Sequence, residues 1–292
     1  MKNTFVKLAF FNLVFILVVT FPVSGGKAQS LKSDLKVVSL SPHITEIIYR
    51  LKADQFLVGR TDFCNFPPAT SKIDKVGGYL NIDYEKIVAL HPDVVFQFPN
   101  DENRRKLESL GFRVVSVPNE TIQEILNSIR LIGNQLGLDE RAEQVIQGIT
   151  DTLNFVRHLQ PDRSLSALLV IGRQPGSLAH LYLAGASTYL SELWSLCGGV
   201  NAFSDVPHRY FPVNLEDILN RPIEVVLEFH PDWELTPDRE QSEKSVWTTL
   251  AFPDKNRVFI FTEQYFVIPG PRITQIALVF SHIIHHLSAG SK

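Results

Sequence analysis

The chain has 292 residues, of which 28 are Lys or Arg and 31 are Asp or Glu, for a formal net charge of −3. So balanced a charge, with no Lys/Arg stripe, excludes the electrostatic footprint that nucleic-acid binding requires. A hydrophobic content of 45%, with no low-complexity tract, excludes a disordered chain and leaves room for two domains of ordinary size.

Residues 1–28 read as a secretory signal and not as part of the fold. Lys2 and Lys7 precede the apolar run from Leu8 to Phe21, and Gly26-Lys-Ala28 places small residues where a signal peptidase needs them. A run of about 14 apolar residues is short of the ~20 that cross a bilayer, which argues against an uncleaved anchor. No Cys stands there to take a lipid. Cleavage near Ala28 and export to the periplasm are the expectation.

Residues 36–41 form a short apolar strand ended by Pro42, and 44–51 a helix. A second strand at 57–59 is broken by the loop 60–68. Helix 82–90, strand 93–98, helix 102–110 (ended by Gly111) and strand 113–117 follow. This alternation with short connections argues for a parallel sheet flanked by helices.

The middle differs. Residues 121–136 are an amphipathic helix stopped at Gly137, and Asp139 is expected to cap a longer helix over 140–159. Its apolar Ala142, Val145, Ile146, Ile149, Leu153 and Val156 recur at helical spacing. About 20 residues at ~1.5 Å rise span ~30 Å, the width of a small domain. With no Gly/Ser linker present, one stiff helix can bridge two lobes.

Alternation then resumes. Strand 166–172 and helix 188–197 precede Gly198-Gly199, a short helix lies around 218–219, and strands follow at 225–229 and 257–261. The last helix, 271–287, opens on Pro271, a favoured first-turn residue. The fold class is thus α/β: two Rossmann-like lobes with parallel sheets, joined by a single long rigid helix, with a ligand cleft between them. Residues 36–119 make the first lobe, 120–160 the linking helices and 164–290 the second lobe.

Two stretches support two similar lobes. Tyr79-Leu-Asn-Ile-Asp-Tyr-Glu-Lys-Ile87 runs on to Pro92-Asp-Val-Val-Phe-Gln-Phe98, and Tyr210-Phe-Pro-Val-Asn-Leu-Glu-Asp-Ile218 runs on to Ile223-Glu-Val-Val-Leu-Glu-Phe229. In a gapless overlay Tyr79 meets Tyr210, Glu85 meets Glu216, and Phe98 meets Phe229, while the capping residues Asp83 and Asn214 match in type. Each copy reads as an aromatic loop, a short capped helix and a buried strand. Facing lobes make a cleft, and clefts bind ligands.

Catalytic signatures do not appear: there is no Gly-rich phosphate loop, no Ser elbow and no Cys with a convincing His partner. Ser177 and Ser187 read as loop or cap residues. His282, His285 and His286 suit the negative end of a helix better than a metal, because no carboxylate accompanies them. His43 and His208 are the loop histidines expected near a cleft, too few for an enzyme site. Export would permit a disulfide, but Cys64 and Cys197 fall in different lobes and read as two separate semi-buried thiols.

The aromatic set is more informative. Phe63, Tyr79, Phe98 and Tyr210 lie at strand ends or in loops after strands, where open α/β sheets bind ligands. Arg272, in Ile268-Pro-Gly-Pro-Arg272, adds one cation on a stiff loop. Glu85 and Glu216 stabilise their own helices, yet a carboxylate at matched positions of both lobes is also what docking onto a two-fold symmetric partner needs.

These residues carry a resemblance. Val37-Val-Ser-Leu-Ser-Pro-His-Ile-Thr-Glu46, Leu57-Val-Gly-Arg-Thr-Asp-Phe-Cys-Asn-Phe-Pro-Pro68, Val76-Gly-Gly-Tyr79, Glu85-Lys-Ile-Val-Ala-Leu-His-Pro-Asp-Val-Val95 and Leu110-Gly-Phe112 resemble the helical-backbone periplasmic binding proteins of ABC importers. The similarity spans nearly all of residues 36–290, and Phe66-Pro-Pro and Pro-Gly-Pro-Arg272 look most like the cobalamin-binding branch. It implies a corrinoid ligand, with haem or a ferric siderophore as the alternative, and no resident cofactor or metal. It places the ligand on Phe63, Tyr79, Phe98, Tyr210 and the loop Ile268, Pro269, Gly270, Pro271 and Arg272. It implies a monomer that docks through Glu85 and Glu216 on a two-fold symmetric permease. Where that branch carries Tyr and Trp, this chain has Phe63, Tyr79, Phe98 and Tyr210, keeping stacking area but altering hydrogen bonding.

Overall fold

The computed structural model describes residues 34–79, 81–250 and 255–289. The signal-peptide reading of residues 1–28 lies outside the described residues. Among the described residues, no helix is long and apolar enough to cross a membrane.

The first sheet contains β1 (Val37–Ser39), β2 (Leu57–Arg60), β3 (Asp74–Lys75), β4 (Val94–Gln97) and β5 (Val114–Ser116), with α1 (Pro42–Arg50), α2 (Tyr84–Leu90) and α3 (Asp101–Ser109) in the connections. Its order is β3-β2-β1-β4-β5, all parallel. The chain moves outward from β1 and then returns to β4, so the order reverses at the β1/β4 boundary. In a doubly wound sheet that reversal opens a crevice at the strand carboxyl ends.

Two helices follow, α4 (Ile122–Gln135) and α5 (Asp139–His158). The glycines that end α3 and α4, Gly111 and Gly137, have φ of 86° and 68°, the left-handed conformation that costs glycine least. Asp139 does not cap α5 as expected. It is the first helical residue and accepts a hydrogen bond from Asn134 Nδ2 at 3.1 Å, while Leu138 holds the cap position without a side-chain bond.

The second lobe holds β6 (Ser166–Gly172), β7 (Tyr182–Ala184), α6 (Tyr189–Leu196), β8 (Val200–Asn201), β9 (Tyr210–Pro212), α7 (Leu215–Leu219), β10 (Val225–Phe229), α8 (Pro237–Ser245), β11 (Val258–Phe261) and α9 (Ile273–Ala289). Its sheet runs β11-β10-β6-β7-β9, with β8 also on β6. The β11-β10-β6 core is parallel, as expected, but β7 runs antiparallel to both of its neighbours, β6 and β9. The repeat units reappear as α2–β4 and α7–β10. Asp83 accepts from Lys86 N–H at 3.0 Å and Asn214 from Asp217 N–H at 2.8 Å, caps worth about 1 kcal/mol each.

The α5 helix touches both lobes. Arg141 Nη1, near its start, donates to the Leu51 carbonyl at the end of α1 (2.9 Å), and α5 also packs against α9. One continuous apolar core runs from Val37 through Ile129 and Ile149 to Phe229 and Phe280. A stiff helix embedded in a shared core resists hinge opening, because bending it would expose that core. Small-angle scattering of free and ligand-saturated protein is therefore expected to give nearly superimposable profiles; a large domain closure would contradict this.

Candidate functional site

The carboxyl ends of both sheets converge on a cavity of about 520 Å³. The first lobe contributes Phe98, after β4, and Asn119, after β5, with Glu120 at the approach to α4. The second contributes Ile171 and Phe229 from the ends of β6 and β10, Tyr210 from β9, and Pro231, Val267 and Pro269 from loops. Aromatic faces and prolines make half of the wall, so it offers stacking area with little conformational freedom to lose.

Of the residues expected at the site, the cavity brings together Phe98, Tyr210 and Pro269. Phe63 and Tyr79 are not in its wall. They are 60% and 45% exposed on the first lobe, and a Cβ at Gly78 would come within 3.2 Å of the Phe63 ring, which places that ring beside the backbone just before Tyr79. The repeat positions Tyr79 and Tyr210 thus have different surroundings. Residues 268–272 pack on the start of α1: a Cβ at Gly270 would sit 3.5 Å from His43 Cβ, Pro271 is buried and Ile268 is half-buried.

Arg272 is not a free cation. Its Nε donates to Glu46 Oε2 at 2.8 Å and its Nη2 to Glu46 Oε1, across the lobe boundary. The guanidinium lies 4.1 Å from the Phe66 ring centroid and 5.5 Å from that of Tyr265. Burial raises the Glu46 pKa, and the Arg272 hydrogen bond and charge act against that rise.

Tyr210 is held as a neutral phenol. Burial pushes its pKa far up, and the adjacent Glu120 carboxylate pushes it further. The Tyr189 hydroxyl is spent on the Phe266 carbonyl at 2.6 Å. His43 is no loop residue but sits buried in α1, with Nδ1 beside Ser41 Oγ (2.8 Å) and Nε2 beside the Val117 carbonyl (3.2 Å); burial lowers its pKa to about 4. His208 is exposed, and Cys64 and Cys197 are buried and unbridged.

Behind the wall lies a charge network that sequence reading missed. The fully buried Arg173 side chain donates through Nε to Glu228 Oε2 (2.9 Å) and through Nη1 to Glu243 Oε2 (2.8 Å). Glu228 also accepts from Trp247 Nε1 and lies 2.8 Å from His230 Nε2, whose ring stacks on Trp233 at 3.7 Å. This lattice fixes the segment 229–233 that supplies Phe229 and Pro231 to the cavity. A carboxylate inside the apolar strand Val-Val-Leu-Glu228-Phe was the available signal, since a buried charge needs partners.

Among the described residues, no group of three or more His, Cys, Asp or Glu is placed to hold a metal ion. Two lobes, a long helix packed on both, and an aromatic cavity at facing strand ends define a solute-binding architecture. A family model described as periplasmic binding protein matches residues 37–250, and the chain belongs to that family. The vitamin B12-binding protein of Pectobacterium carotovorum subsp. carotovorum (strain PC1) is 28% identical over 263 residues, 88% of this chain and 90% of that protein. Among solved structures, the periplasmic vitamin B12 binding protein of Vibrio cholerae matches with a TM-score of 0.70 at 21% identity, over 89% of this chain and 99% of that one. The periplasmic haem binding protein of Vibrio cholerae gives 0.73 at 20% identity, over 86% and 98%. At such identities the structural likeness is one of fold.

Proposed function

We propose that this chain is an exported, monomeric solute receptor of an ABC importer, with a corrinoid, cobalamin (vitamin B12) first, as its ligand. It takes that ligand into the interlobe cleft, without a resident cofactor, and delivers it to a two-fold symmetric permease in the inner membrane. The observation that carries this reading is the cavity at the facing strand ends, walled by Phe98, Tyr210, Phe229 and Pro269. A flat, bulky ligand seated there would extend outward to the exposed Phe63 and Tyr79 rings and the loop 268–272.

Haem is the second reading, favoured by the fold shared with haem-binding proteins. A tyrosine that ligates ferric haem does so as phenolate, and burial together with Glu120 opposes that ionisation at Tyr210. No histidine lines the cavity. Ferric siderophores commonly present several negative charges, yet Arg272 is already paired with Glu46. The enzyme reading lacks a His–acid set at the wall.

Calorimetric titration with cyanocobalamin, haem and ferric siderophores tests the assignment. Heat with cyanocobalamin is expected. Silence there, alongside tight haem or siderophore binding, would overturn the corrinoid choice.

A further inference from the structure

The charge in the cavity wall has one sign. Among its lining residues the charged side chains are Glu120 and Asp232, and none is Lys or Arg. Cations elsewhere in the two lobes are paired with carboxylates: Arg272 with Glu46, Arg209 with Glu124 at 3.4 Å, and Arg173, behind the wall, with Glu228 and Glu243.

Both acids stand on fixed backbone. The Glu120 carbonyl accepts from Tyr189 N–H at 2.7 Å, and its own N–H donates to Glu124 Oε2 at 2.7 Å. Asp232 is bounded by Pro231 and by the buried Trp233, whose ring is stacked on His230. Glu120 is half-buried and Asp232 exposed, so one carboxylate stands within the wall and the other at its open side.

We propose that Glu120 and Asp232 act as a charge selector: they accept hydrogen bonds from the N–H groups of a ligand rimmed with amides, and they reject planar chelates that carry free carboxylates. A carboxylate wall gains charge-assisted hydrogen bonds from primary amides. The same wall meets a propionate with like-charge repulsion, and no Lys or Arg among the lining residues neutralises either partner. The accepted class rests on the corrinoid reading, whereas the rejected class follows from the wall alone.

The test compares haem with its dimethyl ester, the same macrocycle with its two charges removed, and adds cyanocobalamin. Each is titrated by absorbance or calorimetry into wild-type protein and Glu120→Gln/Asp232→Asn, with melting curves confirming that the variant is folded. Wild-type protein should bind the ester at least about tenfold more tightly than haem, a difference of ~1.4 kcal/mol. In the variant that ratio should collapse toward one through a gain in haem affinity, while cyanocobalamin binding weakens. Equal behaviour of haem and ester in the wild type, absence of binding by both included, overturns the selector. So does a ratio that survives in the variant. Failure of cyanocobalamin to bind wild type would instead sink the corrinoid reading, leaving the haem–ester comparison to judge the selector separately.

Discussion

Arg272→Met is expected to destabilise the protein by about 3–5 kcal/mol at neutral pH, the usual cost of leaving one member of a buried ion pair uncompensated. The Glu46 side chain is 3% exposed and its partner 15%, so water cannot take over the lost interaction. Burial already raises the Glu46 pKa, and Arg272 is the group that lowers it. Removing Arg272 therefore raises it further. A folded-state carboxyl pKa above its unfolded value means that the folded protein binds more protons, so stability falls as pH rises between the two values. The variant's deficit should be largest at neutral pH and shrink on acidification, as Glu46 takes up a proton. Glu46→Gln/Arg272→Met, which removes both charges, should recover much of the loss. Urea unfolding at pH 7.5 and pH 5 measures each quantity; a deficit below ~1 kcal/mol, typical of exposed pairs, would show that the tie is not structural. Because the pair joins α1 to the loop carrying Pro269, ligand affinity should also fall in Arg272→Met.

That tie shows where sequence reading stops. The repeat units were legible because each is local: an Asx cap, an apolar residue on the inner helix face, then a β-branched strand. Asp83, Asn214, Ile87 and Ile218 do what their spacing implies. The pairing of Glu46 with Arg272 spans 226 residues, and nothing in either segment names the other. The strands β7 and β9 were missed because three residues carry no period, and their pairing, Leu183 with Phe211, is set by the fold. The α8 helix was missed because Pro-Asp-Arg-Glu-Gln-Ser-Glu-Lys-Ser has no apolar stripe; its buried residue is Glu243, held by Arg173. Phe63 and Phe98 look alike in sequence, each an aromatic in a loop after a strand. Their different surroundings come from the path of the loop after β2, which residue type does not encode.

Glu85→Ala/Glu216→Ala is expected to leave ligand affinity nearly unchanged while weakening permease docking and slowing uptake. Both carboxylates are exposed, each at the second residue of its repeat helix. One turn further along, on the same helix face, stand Val88 and Leu219, 41% and 55% exposed. Each lobe thus presents an acid beside an aliphatic side chain, and a two-fold symmetric partner with one basic and one apolar recess per subunit would receive both. A single exposed charge pair is worth only ~0.2–1 kcal/mol, but partly desolvated interfacial pairs contribute more, and losing two compounds the effect. The electrostatic part is screened by salt and the aliphatic part is not. Wild-type docking to permease-containing vesicles should therefore weaken as ionic strength rises, and the double variant should show little of that dependence. Val88→Ser/Leu219→Ser should weaken docking while retaining the salt slope. If the Glu double variant instead loses ligand and transports normally per bound molecule, the two carboxylates serve the cleft and the docking assignment fails.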